Sequence, residues 1–286
     1  MFAITGITGR VGGTLAHRLL AAGAPVRAVV RDAARAEPWR ALGCDIAVAA
    51  QGDADALAAA FAGTQGVFLM TAPNFDPEPG FPETRARAAA YVAALRAARP
   101  GRAVFLSTVG AQVGEFNLLY NAFLVEQALR SLPVPLAFLR PGWFMENAQW
   151  DLSAARTGTL PTLLQPLDHP IPMVATADVG EAAARLLLEP GTWSPGHRVV
   201  ELEGPRRYSA NDIAAGFAAA LGHPVRAEAI PRGTWDAMLR AQGMRHPDAR
   251  MRMVDGFNQG WIDFEAPATV LRGGTPLEKV LATLAR

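Results

Sequence analysis

The chain has 286 residues, half of them hydrophobic, which is enough for the core of one large domain or two small ones. Its 27 basic and 26 acidic residues leave a net charge of +1, which argues against a nucleic-acid groove or an anionic-membrane patch. The single cysteine, Cys44, excludes an internal disulfide and a metal site built from cysteines. Residues 1–10 have the pattern of a strand and a turn rather than a signal peptide, and no apolar run approaches ~20 residues. We therefore expect a cytoplasmic globular protein.

The first 150 residues alternate short apolar runs with segments of helical period. The predicted strands span residues 1–5, 25–30, 45–49, 66–70, 103–107 and 135–139. The predicted helices between them span residues 10–22, 34–42, 54–62, 82–98 and 116–131. Uninterrupted apolar strands separated by helices are typical of βαβ units in a parallel sheet covered on both faces. The sequence therefore predicts a doubly wound, Rossmann-type α/β fold, with residues 1–150 as its first domain.

The second half changes character after Arg140-Pro141-Gly142, and four prolines between residues 161 and 172 leave little room for a long helix. The later predicted helices span residues 179–188, 213–221, 235–242, 249–259 and 273–286. Strands are predicted at 198–202, returning to the main sheet, and at 225–230. The run Ser209-Ala-Asn-Asp212 resembles a capping box. Residues 151–286 are therefore predicted to form a smaller mixed α/β lobe, interleaved with the sheet, that closes over a ligand.

A glycine-rich turn, TGITGRVGG at residues 5–13, follows the first strand and opens the first helix. Glycines at this spacing allow a tight turn, close approach of the backbone to a pyrophosphate, and packing of the helix on the strand. The helix N-terminus then presents free N–H groups and a positive dipole end to the phosphates. The pattern predicts that residues 1–150 bind a dinucleotide.

The end of the second strand indicates which dinucleotide. Arg31 stands there, where a cation suits the 2′-phosphate of NADP, whereas a carboxylate would suit the free 2′-hydroxyl of NAD. Arg10, inside the glycine loop, offers a second cation. The sequence favours NADP(H) over NAD(H), although the adjacent Asp32 leaves a ribose carboxylate as the alternative.

The chain resembles the NmrA-like members of the atypical short-chain dehydrogenase/reductase superfamily. The segments that carry the resemblance are TGITGRVGG at 5–13, VRAVVRD at 26–32, VFLSTVGA at 104–111, LRPGWFMENA at 139–148, VATADVGEAAA at 174–184, ELEGPRRYSANDIA at 201–214 and GTPLEKVL at 274–281. Such a resemblance implies NADPH-dependent reduction of quinones, dyes or iminium-type compounds, or else a regulator that binds the nucleotide without turnover.

The resemblance also implies roles for individual positions. It places the pyrophosphate on Gly6, Thr8, Gly9, Arg10, Val11 and Gly12, and the 2′-phosphate on Arg31. It places the nicotinamide ribose and ring beside Thr71, Ala72, Pro73, Ser107, Thr108, Pro141 and Gly142. Ser107 and Thr108, together with Tyr120, are also the catalytic candidates. The expected substrate contacts are Trp143, Phe144, Asn147, Trp150 and Phe257, within a region rich in tryptophan and methionine.

The proton relay of active short-chain dehydrogenases is absent from this sequence. The Tyr-x-x-x-Lys pair is missing, and the position four residues before Glu126, where relatives carry lysine or histidine, holds Ala122, with Leu118 four residues earlier. Tyr120 is the nearest catalytic candidate, but it stands two residues before Ala122. Two residues correspond to a rotation of about 200° around a helix, so Tyr120 should face a different direction from position 122. Two interpretations remain: a reductase whose electrophilic substrate needs no strong acid, or a silent NADP(H) sensor that acts through a protein partner. A third interpretation is a non-redox enzyme, such as an isomerase, that keeps the dinucleotide fold.

Other candidates for proton donors are Tyr120, His169, Glu146 and Tyr208, each dependent on loop positions that the sequence does not fix. The five histidines lack metal-ligand spacing, so no metal site is predicted. The expected partner is a small-molecule substrate rather than nucleic acid or membrane, and whether the chain forms a homodimer is left open.

Overall fold

Twelve strands and eleven α-helices make up the computed structural model, which describes residues 1–286. The strands are β1 (Phe2–Thr5), β2 (Val26–Val30), β3 (Asp45–Val48), β4 (Gly66–Leu69), β5 (Ala103–Leu106), β6 (Leu136–Pro141), β7 (Trp143–Phe144), β8 (Thr159–Thr162), β9 (Met173–Val174), β10 (His197–Glu203), β11 (Arg226–Ala229) and β12 (Leu271–Arg272). The helices are α1 (Arg10–Ala21), α2 (Glu37–Ala41), α3 (Ala54–Phe61), α4 (Pro82–Ala98), α5 (Tyr120–Leu129), α6 (Leu152–Ala155), α7 (Thr176–Leu188), α8 (Ala210–Leu221), α9 (Trp235–Ala241), α10 (Asp248–Gln259) and α11 (Leu277–Leu284).

The main sheet has eight parallel strands in the order β12-β10-β6-β5-β4-β1-β2-β3. Phe2 of β1 pairs with Val26 of β2 on one side and with Gly66 of β4 on the other. The strand order therefore reverses at β1, and open α/β sheets bind ligands in the crevice at the carboxyl ends of strands beside such a reversal. The predicted doubly wound α/β fold is confirmed.

Helices cover both faces of the sheet, which explains why its central strands β4 and β5 are apolar throughout. One core layer packs α1 and α7 against the sheet, and the other packs α3, α4 and α5 against the opposite face. Helices α1 and α7 touch closely: a Cβ built on Gly180 would lie 2.6 Å from Cβ of Thr14. Any larger residue at position 180 would push the two helices apart.

The second half of the chain contributes to the sheet and also builds a separate core. Strand β10 pairs with β6, as predicted for residues 198–202, and β12 extends the edge. Strand β11, predicted at 225–230, instead pairs with β8 in a two-stranded sheet, and β7 pairs with β9 in another. The capping box is present, because Ser209 Oγ accepts from the Asp212 amide while Asp212 accepts from the Ser209 amide. The division at residue 150 stays a prediction.

Three predicted helices are shorter than expected: the one predicted at 273–286 spans only Leu277–Leu284, and two others are shortened for local reasons. The helix predicted at 116–131 begins only at Tyr120, because Asn117 Oδ1 accepts from the Leu119 amide at 2.7 Å and the Leu118 amide donates to Ala249 O at 2.8 Å. The helix predicted at 34–42 starts as a 3₁₀ turn over Ala33–Ala36 before α2. No helix of the protein combines the length and the apolar character needed to span a lipid bilayer.

Candidate active site

The glycine loop lies between β1 and α1, at the carboxyl edge of the sheet. Gly6 has φ +65°, and a Cβ there would meet Met70 Sδ at 2.2 Å; a Cβ on Gly12 would lie 2.3 Å from Gly6 O. Both positions therefore require glycine. No side chain caps α1, and the amides of Arg10 and Val11 have no acceptor within the protein. These free amides fit the pyrophosphate of a dinucleotide.

Arg31 and Asp32 follow β2 and differ in how they are engaged. Asp32 Oδ1 accepts from the Ala34 amide at 2.9 Å and caps the short 3₁₀ turn. Arg31 is exposed and forms no hydrogen bond or ion pair with protein groups. The guanidinium of Arg31 is thus available for a phosphate at the end of β2, whereas one carboxylate oxygen of Asp32 already has a hydrogen-bond partner.

The loop after β4 carries Thr71, Ala72 and Pro73, and its backbone is held from two sides. Gln51, which follows β3, donates to Met70 O at 2.7 Å and accepts from the Ala72 amide at 2.9 Å. On the other side, Tyr91 donates to Met70 O at 2.7 Å and Arg87 donates to Ala72 O at 3.0 Å. The sequence analysis did not single out Gln51, since a glutamine in a turn after a strand carries no distinguishing pattern. These bonds hold the loop beside the glycine turn.

Ser107, at the end of β5, is part of a buried ionic network. Its hydroxyl donates to Glu126 Oε1 at 2.5 Å, and Arg140 binds Glu126 through Nε at 2.9 Å and Nη2 at 2.7 Å. Arg140 is 0% exposed and also donates to Glu265 at 2.6 Å. Burial tends to lower the pKa of Arg140, but its hydrogen bonds and the charges of Glu126 and Glu265 raise it overall. The network fixes the ends of β5 and β6, while Thr108 beside Ser107 is half-buried.

The positions of the missing relay are filled by packing residues. Ala122 and Leu118 are both buried, with no group able to carry a proton. Tyr120 packs its ring against Phe81 at 5.7 Å and Phe123 at 5.0 Å between centroids, and its hydroxyl has no protein hydrogen-bond partner. Neither Ala122 nor Leu118 therefore supplies a proton donor.

The wall after β6 is formed by a close backbone approach. A Cβ on Gly142 would lie 2.7 Å from Pro172 O, and both Pro141 and Gly142 are buried. Trp143 is half-buried and stands edge-on to Phe257, with ring centroids 5.3 Å apart. Phe257 is only 2% exposed, so its ring supports Trp143 from within the core rather than standing open to a ligand. Phe144 and Asn147 are half-buried.

Two contacts join the loops that follow β1, β4 and β7. Arg10 Nη2 of the glycine loop donates to Gln149 Oε1 at 3.0 Å. Phe75, in the loop after β4, stands edge-on to Trp150 with centroids 5.6 Å apart, although the two side chains are 43% and 57% exposed. Two large aromatic rings left this open form an apolar contact surface at the mouth of the predicted cleft.

The remaining predicted proton donors are engaged elsewhere or lie in loops. Glu146 accepts from the Thr176 amide at 3.0 Å and from its hydroxyl at 2.6 Å, at the start of α7. Tyr208 is 1% exposed, and its hydroxyl accepts from the Leu277 amide at 3.2 Å. His169 is half-buried in the proline-rich loop. Asp151, which the sequence analysis missed, has a pKa raised to about 6 by burial, opposed by the charge of Arg250.

A groove of about 910 Å³ lies away from these loops. It runs along the β12 edge of the sheet beside the end of α7, and its apolar lining includes Leu188, Val200 and Leu271. No residue of the glycine loop or of the loops after β4 and β7 lines it. The groove is thus separate from the candidate active site.

Comparison with known proteins assigns the family. The model of the NmrA-like family matches residues 1–254. The chain belongs to the NmrA-like family. The resemblance seen in the glycine loop and in the segment 139–148 is therefore confirmed across most of the protein.

The relatives of this NmrA-like protein include named reductases. The (4-alkanoyl-5-oxo-2,5-dihydrofuran-3-yl)methyl phosphate reductase of Streptomyces griseus is 33% identical over 233 residues, which cover 80% of this chain and 77% of the relative. The NAD(P)H azoreductase of Xenophilus azovorans is 27% identical over 276 residues, covering 89% and 91%. The NmrA-like protein is accordingly an oxidoreductase that uses a nicotinamide cofactor, as the sequence predicts.

The fold has close counterparts among solved structures. The NADPH-dependent quinone oxidoreductase of Escherichia coli, solved in complex with NADPH, superposes with a TM-score of 0.82 over 100% of both chains, at 24% identity. At that identity the likeness concerns the fold. The glycine loop, the free helix amides and the unpaired Arg31 of the NmrA-like protein fit a nicotinamide dinucleotide on their own geometry.

Proposed function

We propose that this protein is an NADPH-dependent reductase of electrophilic, largely apolar small molecules. The substrate class comprises quinones, imines or iminium ions, conjugated carbonyl compounds and cationic dyes. The observation that carries the proposal is the exposed Phe75–Trp150 pair beside the nucleotide loop, because two open rings next to a hydride source suit a flat, ring-bearing acceptor.

The preference for NADPH over NADH rests on the end of β2. Arg31 has no protein partner, whereas one carboxylate oxygen of Asp32 accepts a hydrogen bond from the Ala34 amide. A 2′-phosphate would gain a charge-assisted hydrogen bond from Arg31, and such bonds are worth about 1.5–3 kcal/mol. The free ribose hydroxyl of NADH would gain no comparable contact.

The residues of the protein bind, orient and exclude water. The amides at the start of α1 and the side chain of Arg31 hold the dinucleotide. The space beyond the dinucleotide is lined by Pro141, Gly142 and Trp143. When bound, NADPH supplies a hydride to the acceptor. Without a relay on α5, the protein depends on positioning, which suits acceptors that are already electron-poor.

The names of the relatives support this class of acceptor. A dihydrofuranone with an acyl substituent and an azo compound are both conjugated electrophiles, and the relatives named for them are reductases. What unites these acceptors is a π-system that takes up a hydride, rather than any single functional group. The cytoplasmic location remains a prediction, and the oligomeric state stays open.

The test is NADPH oxidation by the purified protein against quinones, triarylmethane dyes, cyclic imines and enones, with nucleotide binding measured by calorimetry on the same sample. Turnover with any of these classes is the expected result. Tight NADPH binding without oxidation across the panel would overturn the reductase in favour of a redox sensor. Failure to bind either NADPH or NADH would overturn both the reductase and the redox sensor.

A further inference from the structure

Asp151 and Arg250 are a carboxylate and a guanidinium withdrawn from solvent without ordinary partners. Both are half-buried, and their charges interact, yet no Arg250 nitrogen lies within 4.0 Å of an Asp151 oxygen. Asp151 makes no side-chain hydrogen bond, although it precedes α6. The guanidinium has only a sulfur contact, to Met244 Sδ at 3.9 Å. Sheltered charges left in this state are costly, so their retention calls for a ligand or a chemical role.

These two residues stand at the two ends of a chain of contacts that runs through the Phe75–Trp150 pair. Asp151 follows Trp150, whose ring meets Phe75. The next residue, Asp76, accepts from the backbone amides of Arg245 at 3.0 Å and His246 at 2.6 Å, just before α10. Arg250 lies on the first turn of α10, and its charge acts on Asp151 from more than 4.0 Å away. The neighbouring Gln149 is bonded to Arg10 of the nucleotide loop.

Given the proposed function, we infer that Asp151 is the proton donor of the reduction and that Arg250 binds the oxygen which becomes negative. The pair would serve carbonyl acceptors, namely quinones and conjugated ketones or lactones. It takes the place of a proton relay that neither Ala122 on α5 nor Leu118 just before it can provide, and both of its residues come from the second half of the chain.

In a conjugated carbonyl compound, the hydride and the proton are added to different atoms of the acceptor. The hydride of NADPH forms a C–H bond at the electrophilic carbon, and the displaced π electrons move to the carbonyl oxygen. That oxygen accepts hydrogen bonds from Arg250 and takes the proton of Asp151, forming an O–H bond. Asp151 is left as a carboxylate beside Arg250 and regains a proton from water. The nicotinamide is oxidised and the acceptor is reduced by two electrons.

The protonation state of Asp151 suits this role. Burial raises its pKa to about 6, near the pH at which a general acid works best, while Arg250 opposes the shift. The other nearby charges are occupied: Asp76 by the two backbone amides, Glu146 by Thr176, and Arg10 by Gln149. His246 acts on Asp76 rather than on Asp151.

The decisive experiment compares two acceptors in Asp151→Asn. A quinone or 2-cyclohexenone needs a proton after hydride addition, whereas a triarylmethane cation becomes neutral by hydride addition alone. We expect kcat for the carbonyl acceptor to fall at least ~10²-fold and kcat for the dye to change less than ~3-fold. In the wild type, kcat for the carbonyl acceptor should fall as the pH rises above about 6, and this fall should be absent for the dye. Equal losses with both acceptors, or no loss with either, would overturn the assignment.

A binding measurement tests Arg250 without turnover. The anion of 4-nitrophenol carries a phenolate oxygen and reports its ionisation by absorbance. Its affinity for the NADP⁺-loaded protein therefore measures how strongly Arg250 binds a negative oxygen, which defines the oxygen site. We expect Arg250→Gln to weaken phenolate binding at least ~10-fold. The control is Arg252→Gln on the same helix, where the arginine is paired with Glu115 at 3.2 Å. Unchanged affinity in Arg250→Gln would overturn the oxygen site, even if the protein reduced none of the acceptors and the proposed function failed.

Discussion

Ser107 and Arg140 donate to the same oxygen, Glu126 Oε1, at 2.5 and 2.9 Å, and all three side chains are buried. This shared acceptor joins the carboxyl ends of β5 and β6 to α5. Since those strand ends carry Thr108 and Pro141, the network fixes the part of the site where the nicotinamide is expected. The serine is therefore part of the support for the site, whatever it contributes to chemistry.

Removal of Glu126 should be strongly destabilising. Glu126→Ala leaves the fully buried Arg140 with Glu265 at 2.6 Å and the more distant Glu201 at 3.9 Å, and breaking a buried pair in this way costs about 3–5 kcal/mol. Urea unfolding measures the loss. Glu265→Ala is the control on the same guanidinium: its carboxylate side chain is 55% exposed, and we expect a loss below about 1 kcal/mol. Similar losses in the two variants would show that the buried pair is not the stabilising one.

Arg31→Glu should discriminate between the two nucleotides. Loss of the cation and gain of a negative charge at the end of β2 should raise the Kd for NADPH by about 10–100-fold and leave that for NADH within about 3-fold. Calorimetry with both nucleotides measures the difference. Arg40→Glu, an exposed arginine near Glu37, is the matched control and should affect neither nucleotide. If both affinities fell equally in Arg31→Glu, the arginine would not contact the 2′-phosphate.

Tyr120→Phe should leave turnover within about 2-fold of the wild type. The hydroxyl has no protein partner, and the ring is held by Phe81 and Phe123 through packing that phenylalanine preserves. Steady-state kinetics with the best acceptor from the panel checks this. A loss of 10²-fold or more, the size expected for a general acid, would return the proton-donor role to α5.

Trp150→Ala should weaken acceptor binding more than it weakens the fold. The ring is 57% exposed and touches Phe75 edge-on, a contact worth about 0.5–1.5 kcal/mol. We expect KM for ring-bearing acceptors to rise about 5–10-fold, with little change in kcat and a loss of stability below about 1 kcal/mol. The control, Leu42→Ala, removes another exposed apolar side chain, 49% exposed, outside the site. Equal KM values for Trp150→Ala and wild type would remove the aromatic pair from the substrate surface.

The sheet and the nucleotide loop could be predicted because both are encoded locally. Apolar runs such as Gly66–Leu69 need only their own residues to mark a buried strand, and the glycines at 6 and 12 stand beside the elements they connect. The strand prediction at 198–202 rested on Val199, Val200 and Leu202, and the structure pairs this strand with β6. Boundaries were missed where a distant group intervened, as when Ala249 O takes the Leu118 amide and delays α5.

The chemistry of the second lobe could not be predicted, because it depends on packing between distant segments. Asp151 and Arg250 are ordinary charged residues in the sequence, and only the approach of α10 to the turn after β7 shelters them together. The same is true of Phe257, which the apolar pattern placed in the substrate pocket but which lies behind Trp143. A side chain's type is visible in the sequence, but the burial that sets its pKa or its access to substrate is not.

The raised pKa of Asp151 also predicts a stability profile. The folded value of about 6 exceeds the ordinary value of 3.8, so the folded state binds this proton more tightly than the unfolded state. The stabilising contribution is complete below the unfolded pKa and is lost as the pH rises through about 6. Asp151→Asn abolishes this titration, so the free energy of unfolding of the variant, relative to wild type, should rise by about 1–3 kcal/mol from acid to neutral pH.

Urea unfolding across that pH range measures the difference, and Arg250→Gln is the comparison variant. Loss of the guanidinium charge should raise the pKa of Asp151 further and extend the loss of stability to higher pH. A flat difference between Asp151→Asn and wild type would show that the carboxyl is not sheltered, whereas the expected rise would mean that the fold tolerates a destabilising charge where the substrate needs an acid.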